Sequence, residues 1–596
     1  KQKTAYEISL GLVGSEMCIR DSINPKRCAT MVETLAEFCK NRAAIYNFLS
    51  AAFRDEIPKE LLEGMKKKDF VENIKKYLEQ VSPESVSLLD EVKSALEKDT
   101  EKEWKELRYT YADIFLNAGV APVFPYESSY FAKEPVVMQK PVFEVREYYR
   151  KAGVHKADEY LDLDDHIAVE FEFMRYLCEN CDKKPEFVDL QAKFIQEHFY
   201  WIRDFCDELK KYGEHSVYKL LADLTSTFIS LERAVAGVLK NALPKPVVNA
   251  VKTFAEAVNA LGLSTEYVTI KEGVKPREPK KEIPTHCYIC GGLCGMTAIT
   301  DDGIITGCKG LPGDPKSGGA VCIKGTYAHY QTYSAYRLKW PLIKENGRFR
   351  KATWEEALDK VAELMKNIEP TKVGFLRGND LNRWCTEAVM KAYGAPMTTH
   401  RPMCDNSIRV ANEHNLNDKR PWIDYRESDY VIFWGCNELV SSYGRRKVTF
   451  LREAVKRGAK VVVIDTRYSD TAELAQEWIP IKPGTDAAMA LAMAYVILKN
   501  DLYDKEFVEN WTYGFEEFKK RVLGEDDGVP KTPEWAEKIC GVPAQTIERI
   551  ALEFATAKHP AIVVWAGIAQ CPQGFYTTQS IEALNALLGT FDAPGG

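Results

Sequence analysis

The sequence has no run of about 18 to 20 consecutive apolar residues, the length a helix needs to span a bilayer, so direct membrane insertion is not expected. It has little surplus of charge: 80 Lys and Arg against 87 Asp and Glu leave a net charge of -7. That balance gives no reason to expect nucleic acid or an anionic surface as partner. Its start lacks a basic stretch followed by an apolar run and a small-residue cleavage site, and it lacks a twin arginine, so an export signal is not expected. Its 16 cysteines are scattered apart from one tight cluster. This excludes a small disulfide scaffold and points to metal ligation in a reducing compartment, hence to a cytoplasmic protein. What is present is an ordinary globular composition, 45% hydrophobic and 28% charged over 596 residues. That length exceeds one hydrophobic core, so two or three domains are expected.

Residues 1–22 (KQKTAYEISLGLVGSEMCIRDS) read as a non-native segment, similar to read-through translation of an adapter, and stand outside the fold reasoning. Because the native start is uncertain for that reason, periplasmic export stays open as an alternative. Residues 30–262 read as all helix: Val32–Phe53, Glu101–Phe115, His166–Cys178 and Phe187–Tyr212 place apolar residues three and four apart with charge between. Within them Cys178 and Cys181 form a C-x2-C, read as incidental because no strand and turn precede it. Residues 263–284, and KEGVKPREPKKEIP at 271–284 above all, have the lysine and proline content of an extended, solvated linker. Residues 285–345 are short, β-rich and cysteine-bearing. Thr353 then opens a helix with capping-box spacing to Glu356. Beyond it, the apolar runs Lys372–Leu376, Tyr430–Trp434, Lys460–Ile464 and Ala561–Trp565 alternate with helical stretches such as Arg445–Lys456. That alternation predicts a parallel, doubly wound α/β sheet over 346–596, with ligands at the strands' carboxyl ends.

The cluster reads C-x2-C-x3-C-x27-C at Cys287, Cys290, Cys294 and Cys322. Three thiolates within eight residues and a fourth from a distant loop suit an iron–sulfur cluster. A four-sulfur zinc site is the competing reading, disfavoured because the second C-x2-C knuckle of such sites is missing. Cys308 breaks no spacing rule when left out and is taken as a bystander. Downstream, Gly435 and Asn437 follow one strand, Asp465, Arg467 and Thr471 follow the next, and Gly484, Thr485 and Asp486 open a helix. Glycine lets a ligand approach the backbone, an acid at a strand end suits ribose or a base edge, and a helix start offers free amides.

From His286 to Leu342 the segment resembles the iron–sulfur domain of the dimethyl sulfoxide reductase superfamily of molybdopterin oxidoreductases. Gly313-Asp314-Pro315, the Cys322-x-Lys324-Gly325 ending and Arg337-Leu338-x-x-Pro341-Leu342 carry the likeness. It extends through the three cofactor loops to Gly596, about half the chain, and implies a Rossmann-like domain for a pterin dinucleotide. What it implies further is a 4Fe–4S cluster on the four cysteines, Lys324 between cluster and pterin, and molybdenum or tungsten held by bis-molybdopterin guanine dinucleotide. The resemblance also implies a protein ligand to the metal within Gly394–His414. Cys404 is the candidate, since a helix N-terminus there would lower its thiol pKa; Ser407 is the rival, and a buried inert cysteine the bland alternative. A cysteine departs from the serine of dimethyl sulfoxide reductase proper and shifts the expected substrate toward thiosulfate, polysulfide or formate.

The helical part resembles the TorD-type chaperones dedicated to molybdoenzymes. The likeness rests on Pro125-Tyr126-Glu127-Ser128, Val145-Arg146-x-x-Tyr149-x-x-Ala152-Gly153, Asp164 to Met174, and Glu197-His198 with Trp201. It implies that Asp165 and His166 lie in the region that binds the immature enzyme, here the chain's own catalytic part. The implied whole is a reductase of a small S-oxide, thiosulfate or polysulfide-type substrate, fed through an iron–sulfur partner subunit, with its maturation chaperone in front. The family's enzymes continue past Gly596, so this piece is expected to be inactive alone. Other readings are a chaperone with an inactive client fragment, a formate dehydrogenase, or an electron-transfer subunit of the complex I type.

Overall fold

The computed structural model describes residues 25–239, 243–376, 383–396, 404–419, 421, 423–441 and 446–595. The segment 1–22, residues 397–403 of the expected ligand stretch and Arg445 lie outside them. The chain divides into two compact units.

The first unit is helical, as its three-and-four periodicity predicts. Its main helices are α1 (Pro25–Phe53), α2 (Lys59–Met65), α3 (Lys68–Val81), α4 (Val86–Phe115), α5 (Lys140–Ala152), α6 (Ile167–Glu179), α7 (Glu186–His198), α8 (Ile202–Tyr212), α9 (Ser216–Val235) and α10 (Lys245–Asn259). The expected single stretch Phe187–Tyr212 is broken between α7 and α8. All residues from Ile167 to Cys178 are buried, the charged Glu170, Glu172 and Arg175 included, so α6 runs through the middle of the bundle.

The expected linker is only partly free. Strand β1 (Val154–Lys156) pairs antiparallel with β2 (Ile270–Glu272), tying the linker's start to the helical unit. The unit also takes in residues 301–304 and 329–367, which sequence had assigned to the later domains. Ion pairs explain the second of these: Arg348 reaches Glu106 at 2.9 Å and Asp113 at 2.7 Å on α4, and Lys351 reaches Asp55 at 2.6 Å.

The second unit holds two sheets. In the small one, β3 (Lys281–His286), β4 (Gly295–Asp301) and β5 (Ile304–Gly310) lie side by side in that order. The other comprises β8 (Tyr430–Trp434), β9 (Lys460–Asp465), β10 (Glu477–Pro480) and β11 (Pro560–Val564), all parallel, in the order β10-β9-β8-β11. In the first unit, β6 (Leu342–Glu345) and β7 (Arg348–Lys351) form the hairpin that carries Arg348. Tyr430, Ile432 and Trp434 pack with α15 (Asp486–Lys499), α16 (Ala544–Thr556) and α17 (Gly574–Leu587). Val431 and Phe433 face the opposite layer with Leu451 and Ala454 of α14 (Arg446–Arg457). Burial on both faces is what turns these strands into continuous apolar runs.

Three further helices are α11 (Trp354–Lys366), α12 (Arg383–Tyr393) and α13 (Asn406–Leu416). The Thr353 hydroxyl accepts from the Glu356 amide at 3.1 Å, so the expected cap on α11 is present. Lys372–Leu376 is not a strand. Lys372 ends a short 3-10 turn, the rest is irregular, and Leu376 is exposed, so the segment lacks the neighbour an apolar strand needs.

Candidate functional site

Sequence reading placed four thiols around one cluster, and the fold brings their loops to one end of the small sheet. Cys287 follows β3 and Cys294 precedes β4; the Cys287 amide donates to the Cys294 carbonyl at 2.9 Å and closes the loop between them. At the loop's tip the Gly292 amide points at the Cys290 sulfur, 3.4 Å away. Cys322 returns just ahead of the short helix Ile323–Thr326. Asp314, from the Gly-Asp-Pro motif, locks that return: one carboxylate oxygen accepts from Gly295 at 3.2 Å and from Ser317 at 2.6 Å. Cys287 is buried and its thiol is pushed up, first by burial and then by the charges of Cys290, Cys294 and Cys322. Thiolates crowding one another in this way suit a cationic iron core, which offsets the repulsion. The side chains are not yet in ligand geometry, since among the described residues no three His, Cys, Asp or Glu groups stand as a metal ion would need.

Gly325 is buried, and a Cβ on it would come within 3.7 Å of the Cys287 sulfur. Lys324 beside it is exposed. Cys308 is buried with Cys287, Cys294 and Met296 in one small core. Sequence reading missed Gly310, at the end of β5, whose hypothetical Cβ would lie 2.0 Å from the Gly319 carbonyl oxygen. Gly310→Ala must therefore push the Cys322 loop away, at a cost of about 2–3 kcal/mol for overpacking. A lowered Tm together with reduced iron content is expected; an unchanged Tm would show that the loop yields freely.

In the parallel sheet, β8, β9 and β10 run outward in one direction and β11 lies on the other side of β8. The chain's direction of winding reverses there, and the crevice at the strands' carboxyl ends is where such sheets bind ligands. Two glycine backbones meet at that point: Gly435 sits at φ 59°, and Gly567, just past β11, donates its amide to the Gly435 carbonyl at 3.0 Å. A Cβ on either glycine would fall within 3.1 Å of the other's main chain, so this contact requires both. Gly567 carried no signal beyond following an apolar strand.

Asn437 accepts from the Thr471 amide at 3.2 Å and hydroxyl at 2.7 Å, and Thr471 in turn accepts from the Leu439 amide at 3.1 Å. These two residues therefore knit the β8 and β9 loops to each other, and Thr471 is buried. Asp465 is half-buried and Arg467 exposed at the end of β9. Gly484 takes φ 75° in the turn ahead of α15, and the Thr485 hydroxyl donates to the Lys482 carbonyl at 2.7 Å. Asp486 is buried, and one of its oxygens accepts from the Trp434 indole at 2.9 Å. That partner is what a buried acid needs, and it engages one of the two carboxylate oxygens.

Cys404 is half-buried, one residue ahead of Asp405, the N-cap of α13. Ser407 is committed elsewhere: its hydroxyl donates to the Ala569 carbonyl at 2.6 Å and packs where a Cβ on Gly574 would sit.

In the helical unit the quoted motifs converge on one buried polar knot. Ser128 donates its amide to the Asp165 carboxylate at 2.8 Å, and Glu127 donates its amide to the Asp165 carbonyl at 3.1 Å. Arg146 reaches the Asp164 carboxylate at 2.8 Å, and the Tyr149 hydroxyl reaches the Asp164 carbonyl at 2.7 Å. His198 meets Glu127 at 2.9 Å. His166 caps α6, its ring nitrogen accepting from the Ala168 amide at 3.2 Å. Asp165 and His166 are both buried, so neither presents a surface for a client to touch. Both residues hold the turn ahead of α6 in place.

Comparison with known proteins agrees with these three regions. Residues 79–207 match the nitrate reductase delta subunit family, 280–334 the molybdopterin oxidoreductase Fe4S4 domain, and 337–596 the molybdopterin oxidoreductase family. The chain belongs to the molybdopterin oxidoreductases, preceded by a TorD-like chaperone segment. The matches indicate a 4Fe–4S cluster and a molybdenum or tungsten bis-molybdopterin cofactor. The arsenate respiratory reductase molybdopterin-containing subunit of Chrysiogenes arsenatis is 31% identical over 407 residues, 62% of this chain and 46% of that protein. A formate dehydrogenase alpha subunit of Methanococcus maripaludis is 30% identical over 323 residues, covering 52% and 46%. The dimethyl sulfoxide reductase of Escherichia coli is 28% identical over 395 residues, covering 58% and 48%. A solved structure, acetylene hydratase from Pelobacter acetylenicus, aligns with TM-score 0.46 at 28% identity over 53% of this chain and 44% of that one. The chain spans about half the length of the curated relatives it matches. Among the described residues no helix is long and apolar enough to cross a membrane.

Proposed function

We propose that the chain is the cluster-bearing and pterin-binding part of a reductase for a small oxyanion, S-oxide or sulfur-chain substrate, with its maturation chaperone fused in front. The observation that carries this reading is the closure of the Cys287–Cys294 loop with Asp314 holding the Cys322 return against it, in the segment matched to the Fe4S4 domain. Cys287, Cys290, Cys294 and Cys322 hold the cluster, with amides such as that of Gly292 directed at sulfur. Lys324 supplies a cation on the pterin side of an anionic cluster. Gly435 and Gly567 open the crevice for one guanine dinucleotide. Asn437 and Thr471 fix its loops, and Asp465, Arg467, Gly484 and Thr485 offer the polar groups around it. The bound metal supplies oxygen-atom, sulfur-atom or hydride-equivalent chemistry, and electrons reach it from a separate iron–sulfur partner subunit through the cluster.

Cys404 is the side chain that ligates the metal. Its place ahead of α13 suits a thiolate, and the engagement of Ser407 with Ala569 supports Cys404 over it. The relatives act on arsenate, formate and dimethyl sulfoxide by name. A cysteine ligand favours a sulfur-chain or oxyanion substrate for this chain. The helical unit holds the catalytic part while its cofactor loads, and a tether makes that encounter intramolecular. Asp165 and His166 act there by fixing the turn ahead of α6.

Metal analysis of the anaerobically purified protein tests the proposal: about four iron atoms per chain with molybdenum or tungsten are expected, and zinc alone would overturn it. In the full-length protein, Cys404→Ala should leave the iron and the cluster's spectrum intact while reductase turnover falls by about a thousandfold or more, as for loss of an essential group. Unchanged turnover would exclude Cys404 as ligand.

A further inference from the structure

Outside the cofactor region, three cysteines come together in the helical unit. The Cys39 thiol of α1 has as neighbours those of Cys178, in the last turn of α6, and Cys181, just beyond that helix. All three are buried and free. Arg42, one turn along α1, points Nη1 at the Cys39 sulfur from 4.0 Å. That guanidinium is itself fixed: it donates to Glu232 at 2.7 and 2.5 Å and to Gln191 at 2.5 Å, all within the core. Tyr46 donates to the same Glu232 at 2.5 Å, and the Cys178 sulfur lies 3.6 Å from the Gln191 side-chain oxygen.

A thiol flanked by two thiol donors and a fixed cation has the surroundings of a thiolate. The hydrogen bonds from Cys178 and Cys181, and then Arg42, hold Cys39 far below the ordinary thiol value, while Cys178 and Cys181 are pushed up and stay protonated. One nucleophilic sulfur thus stands beside two protonated ones. The C-x2-C that looked incidental in sequence has a third member, supplied by another helix.

We propose that Cys39 is a hydroperoxide-reactive thiol that closes a disulfide to the Cys178–Cys181 pair. The Cys39 thiolate attacks one peroxide oxygen, the O–O bond breaks, and hydroxide leaves from a sulfenic acid on Cys39. The sulfur of Cys178 or Cys181 then attacks the Cys39 sulfur, the S–O bond breaks, the S–S bond forms, and the departing hydroxide takes up the thiol proton as water. The peroxide is reduced by two electrons and the two cysteines are oxidised by two. Hydrogen peroxide is small enough for a site where Cys181, at 8% exposure, is the most open member. The product staples α1 to the end of α6, two helices that pack on each other, and stabilises the helical unit when oxidant reaches an enzyme with an iron–sulfur cluster.

Cys206 provides an internal control: it is equally buried and free, but burial raises its thiol and no cysteine acts on it. The full-length chain, prepared without oxygen, is exposed to substoichiometric hydrogen peroxide, denatured in acid, alkylated, and cut at Lys, Arg and Glu. That double cleavage separates Cys39, Cys178 and Cys181 onto different peptides. The expected result is a Cys39 peptide linked to the Cys178 or Cys181 peptide, formed at least about tenfold faster than any modification of Cys206, as the thiolate fraction requires. With Cys178 and Cys181 both changed to alanine, Cys39 should instead be trapped as sulfenic acid by dimedone. Cys39 reacting no faster than Cys206, or passing to sulfinic acid in the unaltered chain without a link, would overturn the proposal.

Discussion

Cys287→Ser is expected to take the iron content from about four atoms per chain to less than about one, with loss of the cluster's visible absorption. Loss of Cys287 leaves the cluster one thiolate short of the four it takes. Cys308→Ser is the matched control. Its sulfur lies in the same small core, on β5, but sequence spacing excludes it from the ligand set. It should keep its iron and lose only a little stability. Iron retained in the first variant or lost in the second would reassign the ligands, and Gly310→Ala, which disturbs only the return of Cys322, should fall between them.

The second large effect is a pair of opposite pH dependences inside the helical unit. Burial pushes Asp165 up to about 6 and pushes the neighbouring His166 down to about 4. Unfolded, the two titrate near about 3.9 and 6.5. For Asp165 the folded state binds the proton more tightly, so the unfolded chain releases it first. Stability contributed by Asp165 is complete below about pH 4 and is lost as pH rises through about 6. For His166 the folded state resists protonation. Its contribution is complete above about pH 6.5 and is lost as pH falls through about 4.

Shifts of roughly two units each correspond to about 3 kcal/mol, and the two largely cancel in the wild-type chain. Glu127 and Glu170 are also pushed up by burial and tilt the whole curve in the direction of Asp165. The readout is therefore the difference between paired denaturation curves followed by the helical CD signal. Wild type minus Asp165→Asn should fall by about 3 kcal/mol between pH 4 and 6.5, and wild type minus His166→Asn should rise by a similar amount. Asparagine keeps a cap on α6 and an acceptor for the Ser128 amide, so neither variant removes the local hydrogen bond. Two flat difference curves would show that the pair is solvated in solution.

The sequence by itself determined whatever depends on local periodicity and spacing. The helical first half followed from apolar residues three and four apart, and β8, β9 and β11 from short apolar runs between helices, each placed within a residue or two. The four cysteines and the glycine-bearing strand ends were legible because their chemistry needs particular residues at short intervals. Lys372–Leu376 has the same apolar character as those strands yet forms none, because a strand is defined by its neighbour and none lies beside it among the described residues.

Tertiary structure decided what rests on distant partners. Gly567 acquires its role only by meeting Gly435, Asp486 is claimed by Trp434, and Ser407 by Ala569. Asp165 and His166 carry no sign of burial in sequence, but in the fold the Ser128 amide meets Asp165 and the rings of Tyr126 and Tyr160 pack on His166. The cysteine pair at the end of α6 was dismissed for want of a local setting, and its setting arrives on α1 with Cys39 and Arg42. Spacing along a chain fixes which groups can share a turn; which groups share a buried environment, and therefore a charge state, is fixed by packing between elements far apart in sequence.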